Sequence, residues 1–244
     1  MADTDEARIR ALRYRLLTWG LYHTKPYPWR FATDPYRVLV AEMMLQRTQA
    51  PQVVPVYRDF TQRYPTLECA ALGSAMEQME MLRPLGLSWR SASMLRALET
   101  LWSEYGSVPV DMRLLQEVRG IGPYVAGATV CYVTDTPVAL VDTNTLRVVG
   151  RIRGLDLTDG SRRRAATAAA VGEACDPIRP RDFYYAAIDF AHEICTAKNP
   201  ACSVCPMLTT PCSYGVRSLT HDADMGPVAQ EFGPARRAGL EGRR

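Results

Sequence analysis

The residues best able to do chemistry lie between Leu114 and Arg147, in LLQEVRGIGPYVAGATVCYVTDTPVALVDTNTLR. Leu114, Leu115 and Val118 give a short apolar face, which Gly120-Ile121-Gly122 interrupts. Pro123 suits the first turn of a new helix, where its missing N–H costs nothing. The small residues Ala126, Gly127 and Ala128 let that helix pack closely. Glycines on both sides of one apolar residue leave N–H groups open at a helix N-terminus. Such a hairpin binds phosphate through amides and the helix dipole, without a basic side chain. The apolar run Pro137 to Val141 then ends in Asp142, and a helical pattern, Thr145 to Ile152, follows with Asn144 placed to cap it. A carboxylate delivered just behind a phosphate-binding hairpin suits sugar–base chemistry on nucleic acid. Taken alone, the turn reads better as a loop glycine pair with a helix-capping Asp.

The second candidate is Cys195, Cys202, Cys205 and Cys212, spaced C-x6-C-x2-C-x6-C. The charged N-terminus lacks a signal-peptide pattern, so disulfides are not expected and the compartment expected is the cytoplasm. Four thiolates at this density imply a metal, and spacing alone leaves tetrahedral zinc and a [4Fe–4S] cluster both open. Cys69, Cys131 and Cys175 are scattered among apolar residues and read as buried thiols.

Helices must position these groups. Asp3 to Tyr22 is amphipathic, with Ile9, Leu12, Leu16 and Leu17 at helical spacing. Pro26-Tyr27-Pro28-Trp29-Arg30 cannot be helical, and Asp34-Pro35 starts a helix that Tyr36 to Gln46 continues. Further helical stretches are Pro55 to Tyr64, Leu67 to Gln78, Ser91 to Tyr105 and Asp182 to His192, the last packed through Phe183, Ala187 and Ile188. Glu42 falls inside an otherwise apolar helix, where a solvated edge position is the commoner fate of a Glu. Gln46, Arg47 and Gln49 lie at that helix's end. Pro84-Leu85-Gly86-Leu87-Ser88 is an apolar helix junction. The run Ser161-Arg162-Arg163-Arg164 reads as loop, and the segment beyond Tyr214, residues 216–244, as a disordered tail.

Together these motifs resemble the endonuclease III-like group of the helix-hairpin-helix DNA glycosylase superfamily, over roughly residues 26–215. The hairpin Val118-Arg119-Gly120-Ile121-Gly122, then Val141-Asp142-Thr143-Asn144, then Arg147-Val148-Val149-Gly150-Arg151 carry the resemblance, with Pro26 to Arg30 as the fold's entrance. Arg119 stands where the family usually has Pro, which should alter hairpin stiffness more than phosphate binding. The resemblance is nearest the thymine/uracil mismatch branch and extends to the adenine-specific branch.

It implies an all-α fold of two helical domains with a DNA-binding cleft between them. Residues 27–137 would form a six-helix barrel domain carrying the hairpin (118–123), and 1–26 plus 138–215 an iron–sulfur cluster domain. It also implies roles. Asp142 would stabilise positive charge on the sugar and orient water, and Glu42 would meet the extruded base. Gly120, Ile121 and Gly122 would hold the duplex, while Leu87, beside Ser88, wedges into it. Gln46 and Arg47 would read the opposite strand, with Asn144 and Arg147 near the phosphates. Tyr124 occupies the place of the Lys used by lyase members, which implies a monofunctional enzyme; its plainer role is core packing. The family's last cysteine spacing is x5 and this chain has one residue more, yet the resemblance favours a structural [4Fe–4S] cluster over zinc.

The implied reaction is removal of thymine or uracil opposite guanine from double-stranded DNA. The alternatives are adenine removal from A:G or A:8-oxoguanine pairs, and a non-catalytic DNA-binding relative. Two acidic groups near phosphates count against the last. Hydrophobic content of 47%, charged content of 23% and net charge +3 are those of an ordinary globular chain, so any DNA footprint must be local. No apolar run is long enough for a membrane. A monomer acting in the nucleoid is expected.

Overall fold

The computed structural model describes residues 2–158, 160–161, 164–208 and 212–215, and every regular element among them is helical. The segment 216–244 and Arg162 and Arg163 lie outside the described residues. Helix α1 (Ala2–His23) buries Ile9, Leu12, Leu16 and Leu17 as their spacing predicts. Each such leucine is worth about 1.5–3 kcal/mol. Between α1 and α2 (Pro35–Met44) the prolines exclude an α-helix but admit one 3₁₀ turn, Pro28–Phe31. Asp34 caps α2 by accepting the Tyr36 N–H at 3.1 Å.

Several boundaries differ from the sequence expectation for physical reasons. Helix α3 (Ala50–Arg63) starts at Ala50, because Pro51 fits its first turn and exposed Pro55 forgoes a single hydrogen bond. The stretch expected as one helix from Leu67 is two, α4 (Leu67–Ala71) and α5 (Ala75–Leu82). They part at Gly73, where a Cβ would stand 2.5 Å from the Tyr64 ring and 2.6 Å from the Gln78 amide. Helix α6 (Ser88–Tyr105) starts at Ser88, before the expected Ser91. Helices α7 (Met112–Glu117), α8 (Pro123–Thr134) and α9 (Thr143–Arg153) follow. Helix α10 (Ala165–Ala174) was not foreseen, since its alanine-rich sequence shows no strong apolar stripe. Helix α11 (Pro180–Glu193) is buried on several sides, with Tyr184, Tyr185 and Ala186 inside and Ile188 only half-buried.

The buried side chains form two cores. One gathers Trp29 from the 3₁₀ turn before α2 and Leu39, Phe60, Leu98 and Leu115 from α2 to α7. The other gathers Leu12, Leu16, Val149, Phe183 and Phe190 from α1, α9 and α11. Helix α8 serves both, with Val125, Ala126 and Val130 in the first and Ala128, Cys131 and Tyr132 in the second. Tyr124 packs against both cores, at their seam.

Candidate active site

The hairpin forms as its glycines require. Gly120 has φ +101°, and a Cβ there would stand 2.5 Å from Ser93 Oγ. Ile121 is buried as the anchor, its N–H donating to Val118 O at 3.1 Å, while Leu114 turns outward, against the expected apolar face. Gly122 is the N-cap of α8 and has no side chain to cap with; a Cβ added to it would meet nothing within 4 Å. The first-turn amides of α8 therefore open onto free space.

The route to Asp142 is fixed from below. Tyr184 Oη donates to Val138 O at 2.6 Å and accepts the Leu140 N–H at 3.1 Å, pinning the extended run before Asp142. Gly127 makes room for it, its missing Cβ lying 3.1 Å from both Val138 and Leu140 side chains. Asp142 itself, not Asn144, caps α9. Its Oδ1 accepts the Asn144 N–H at 3.0 Å and the Thr145 N–H at 2.6 Å, in a capping box with Thr145. Its Oδ2 accepts Asn144 Nδ2 at 3.1 Å. The capping and chemical readings of this residue are thus compatible: the bonds that cap the helix fix the carboxyl group's orientation.

Arg147, expected to touch phosphate, is turned inward. It donates to Asn144 Oδ1 at 3.1 Å, Cys195 O at 2.8 Å and Ala191 O at 2.9 Å. Its guanidinium holds Asn144 against Asp142 and the cysteine loop against α9. Asn144 is occupied on both ends of its amide.

Glu42 is 6% exposed, on the inward face of α2. Burial, and then the nearby Asp142, push its pKa to about 8, against a partial pull downward from Arg30. Burial of this depth favours the protonated form of the Glu42 carboxyl group at neutral pH. Burial, Asp142 and Glu42 likewise hold the Tyr124 hydroxyl well above its ordinary pKa. The fold thus brings Glu42 of α2, Tyr124 of α8 and Asp142 before α9 to one place.

An aromatic column backs this site. Tyr27 stacks on Trp29 at 5.0 Å, Arg30 Cζ lies 5.0 Å from the Tyr27 ring and 4.7 Å from that of Tyr185, and Tyr185 meets Tyr132 at 4.5 Å. Arg30 is locked there by a buried two-pronged pair with Asp189 of α11. Arg30, Tyr132 and Tyr185 were not singled out from sequence as site residues. The available signal was the position of Tyr132, two helical turns after Tyr124 on the same helix.

Arg47, Leu87 and Ser88 are exposed and Gln46 is half-buried. Leu87 and Trp89, 40% and 59% exposed, form an apolar tip at the start of α6. Arg47 and Leu87 both have left-handed backbones, φ 58° and 53°. Buried Arg90, also unread in the sequence, donates to Gln46 O, to Thr48 Oγ1 at 2.8 Å and to Leu85 O at 3.1 Å.

The four cysteines line one cavity with Ile152, Phe190 and Ile194. Donors reach three sulfurs: Arg151 Nη1 to Cys195 Sγ, Met207 N to Cys205 Sγ and Gly215 N to Cys212 Sγ, each at 3.4 Å. An apolar chamber with N–H groups aimed at sulfur suits thiolates bound to a metal group. Among the described residues no three His, Cys, Asp or Glu side chains converge on a point as a single ion requires. Of the other cysteines, Cys131 and Cys175 are buried as expected, whereas Cys69 is exposed on short α4.

Residues 195–208 match the iron–sulfur binding domain of endonuclease III; the match stops short of Cys212. Over 216 residues the chain is 35% identical to a thymine-DNA glycosylase of Aeropyrum pernix, covering 85% of this chain and 96% of the relative. It is 35% identical over 198 residues to a thymine/uracil-DNA glycosylase of Pyrobaculum aerophilum, covering 78% and 85%. An adenine DNA glycosylase of Rattus norvegicus is 32% identical over 84% of this chain, which spans 42% of that protein. The solved structure of a thermostable thymine-DNA glycosylase superposes with TM-score 0.80 at 26% identity, over 86% of this chain and 97% of its own. An endonuclease III–DNA complex shares the fold with TM-score 0.71 at 21% identity, over 87% and 98%.

Proposed function

The chain belongs to the endonuclease III-like helix-hairpin-helix DNA glycosylases, and from that premise we propose that it is a monofunctional enzyme removing mismatched thymine or uracil opposite guanine in duplex DNA. The observation that carries the reading is the meeting of Glu42, Tyr124 and Asp142 beside the open amides of α8. The family membership supplies the reaction class, and the site supplies the parts.

The duplex backbone rests on the Gly120–Gly122 amides, which need no cation. Leu87 and Ser88 occupy the space the extruded nucleotide leaves, and Arg47 and Gln46 face the widowed base. The extruded base lies against Tyr124. As the C1′–N bond lengthens, the departing base takes the bonding electrons and the sugar becomes cationic. Asp142 faces that charge and orients a water, whose oxygen bonds to C1′ while its surplus proton passes to the Asp142 carboxylate and from there to solvent. Glu42 donates a hydrogen bond or its proton to the leaving base. The products are free base and an abasic site. Lyase chemistry needs an amine at the sugar. Tyr124 stands at the amine's place, and the chain's only lysines are Lys25, paired with Glu193, and Lys198 in the cysteine loop. The domain division at residues 137/138, with DNA in the cleft between, is part of this proposal, as is action by a monomer. No helix among the described residues is long and apolar enough to cross a membrane.

For the cysteines we propose a [4Fe–4S] cluster held by Cys195, Cys202, Cys205 and Cys212. Zinc needs four sulfurs about 2.3 Å from one point, whereas a four-iron cluster spreads its ligands. The cluster supplies a covalent staple for a loop with little core of its own.

A second reading, adenine excision, draws on the Glu42 proton, which suits protonation of a purine ring nitrogen, and on the Rattus norvegicus similarity. The test is base release from duplexes with T, U or A opposite G, followed by alkali. T or U release confirms the first reading; release of adenine alone replaces it.

A further inference from the structure

The established parts of the site leave one buried polar group without a task. Tyr132 is 1% exposed and its hydroxyl oxygen has no hydrogen-bond partner. Leaving such a hydroxyl dry is unfavourable, and a phenylalanine would fill the same space without that penalty. The ring is not free to turn away. It is packed at 4.5 Å against Tyr185, which is itself held under Arg30 and the Arg30–Asp189 pair. Tyr132 lies two turns behind Tyr124 on α8, and a long helical side chain leans toward the helix N-terminus, hence toward Tyr124. Consistent with that direction, Glu42, Tyr124 and Tyr185 all act on its hydroxyl, and burial keeps it protonated. The Tyr124 hydroxyl is its neighbour in the site.

We propose that Tyr132 is a base-reading residue, whose hydroxyl donates a hydrogen bond to a carbonyl oxygen of the extruded pyrimidine. This rests on the pyrimidine reading above. Thymine and uracil present two carbonyl acceptors, at C2 and C4. A fixed phenol is a donor for one of them, and its partner arrives only with the flipped base. A pocket built to donate at that point penalises a base that offers no acceptor there. No covalent step is assigned to Tyr132.

The test is Tyr132→Phe, which deletes one oxygen and keeps the ring. Single-turnover release would be measured on duplexes with uracil, 2-thiouracil or 4-thiouracil opposite guanine, sulfur being the weaker acceptor. Release of uracil should fall about tenfold, the rate equivalent of one hydrogen bond. The melting temperature should be unchanged or higher, because a merely structural hydroxyl would lower it when lost. Sulfur at the contacted carbonyl should slow the wild type relative to uracil, and this sulfur effect should vanish in the variant. Wild-type-like uracil release by Tyr132→Phe, or independent, multiplying losses with both thio-bases, overturns the proposal. A variant with a lower melting temperature and no change in the thio-base effect overturns it too. If the wild type releases neither thymine nor uracil, it is the underlying reading that fails.

Discussion

Arg47 and Leu87 hold the same left-handed backbone, and one buried guanidinium, that of Arg90, bonds beside each of them. For non-glycine residues that conformation costs of order 1–3 kcal/mol each and persists only where neighbours over-determine it. Arg90 is such a neighbour, tying Gln46 O and Thr48 Oγ1 on one side to Leu85 O on the other. The Leu87 tip and the turn at Arg47 are therefore one preorganised unit.

Replacing Arg90 should loosen both parts together. Arg90→Met keeps the apolar stem but strips donors from two buried carbonyls, a loss of about 2–4 kcal/mol by analogy with charged hydrogen bonds. Urea unfolding would read that loss. Affinity for a duplex with an abasic-site analogue should fall with it, and a further Leu87→Ala change should then add little. Fully additive losses would show that the two residues are not coupled through Arg90.

Glu42 makes opposite predictions for stability and activity. Its folded pKa, about 8, lies above its ordinary 4.5. Between those values the unfolded chain has released this proton and the folded protein retains it, so wild-type stability declines as pH rises, by up to about 1.4 kcal/mol per unit, and levels off above the folded value. Glu42→Gln removes that decline. Its melting temperature should match the wild type near pH 4 and exceed it near pH 8, while base release drops by about 10²–10⁴-fold. Wild-type release should also weaken as pH passes through about 8. A variant less stable than wild type at pH 8 would mean that Glu42 is ionised and paired.

Much of this was legible in the sequence because it is local. The Gly120-Ile121-Gly122 turn, the Pro123 helix start and the position of Asp142 are set within a few residues of one another, and periodicity revealed most helices. What could not be read was long-range. Nothing near Arg147 in sequence announces that its guanidinium reaches Cys195 O and Ala191 O. Arg90 looks like any helix-surface arginine until α2 and the Leu85 turn close over it. Gly73 breaks a helix only because Tyr64 and Gln78 crowd it. Asn144 lost the cap to Asp142 for a subtler reason. Both residues can cap, and the extended run pinned by Tyr184 brings Asp142 into the position that caps α9.

The bonds from Asp142 to Asn144, from Asn144 to Arg147 and from Arg147 to Cys195 O form one continuous path. Arg147→Ala should free the Asn144 amide and the loop carbonyl at once. Base release should fall about 10–100-fold through misplacement of Asp142, with KM little changed. Arg147→Lys, which cannot fork to three acceptors, should recover only part. Loss of duplex affinity with an intact catalytic rate would instead restore Arg147 to phosphate binding.

The cysteine loop gives a direct compositional test. Protein prepared anaerobically with ample iron should be brown and contain iron and acid-labile sulfide. Cys202→Ser should lose the colour and much of the soluble yield, since without its metal group the loop has few apolar contacts to fold on. Stoichiometric zinc without iron would rule the cluster out.

Tyr124 decides whether the enzyme stops at the abasic site. A phenol stands at the seam of the two cores, and the only lysines are Lys25 and Lys198. Wild-type product strands should break only after alkali or heat, and borohydride should trap no protein–DNA adduct. Tyr124→Lys places an amine beside Asp142 and Glu42, in surroundings whose burial favours the neutral, nucleophilic form. That variant should show some trapping and some strand cleavage without alkali. Tyr124→Ser removes the surface the base lies against and should slow thymine or uracil release by about 1–3 kcal/mol in barrier. If wild-type protein nicks DNA and is trapped efficiently, the monofunctional reading fails and the amine must come from Lys25, Lys198 or the chain terminus. If Tyr124→Ser releases thymine and uracil at the wild-type rate, Tyr124 is a packing residue of the α8 start and the base stacks elsewhere.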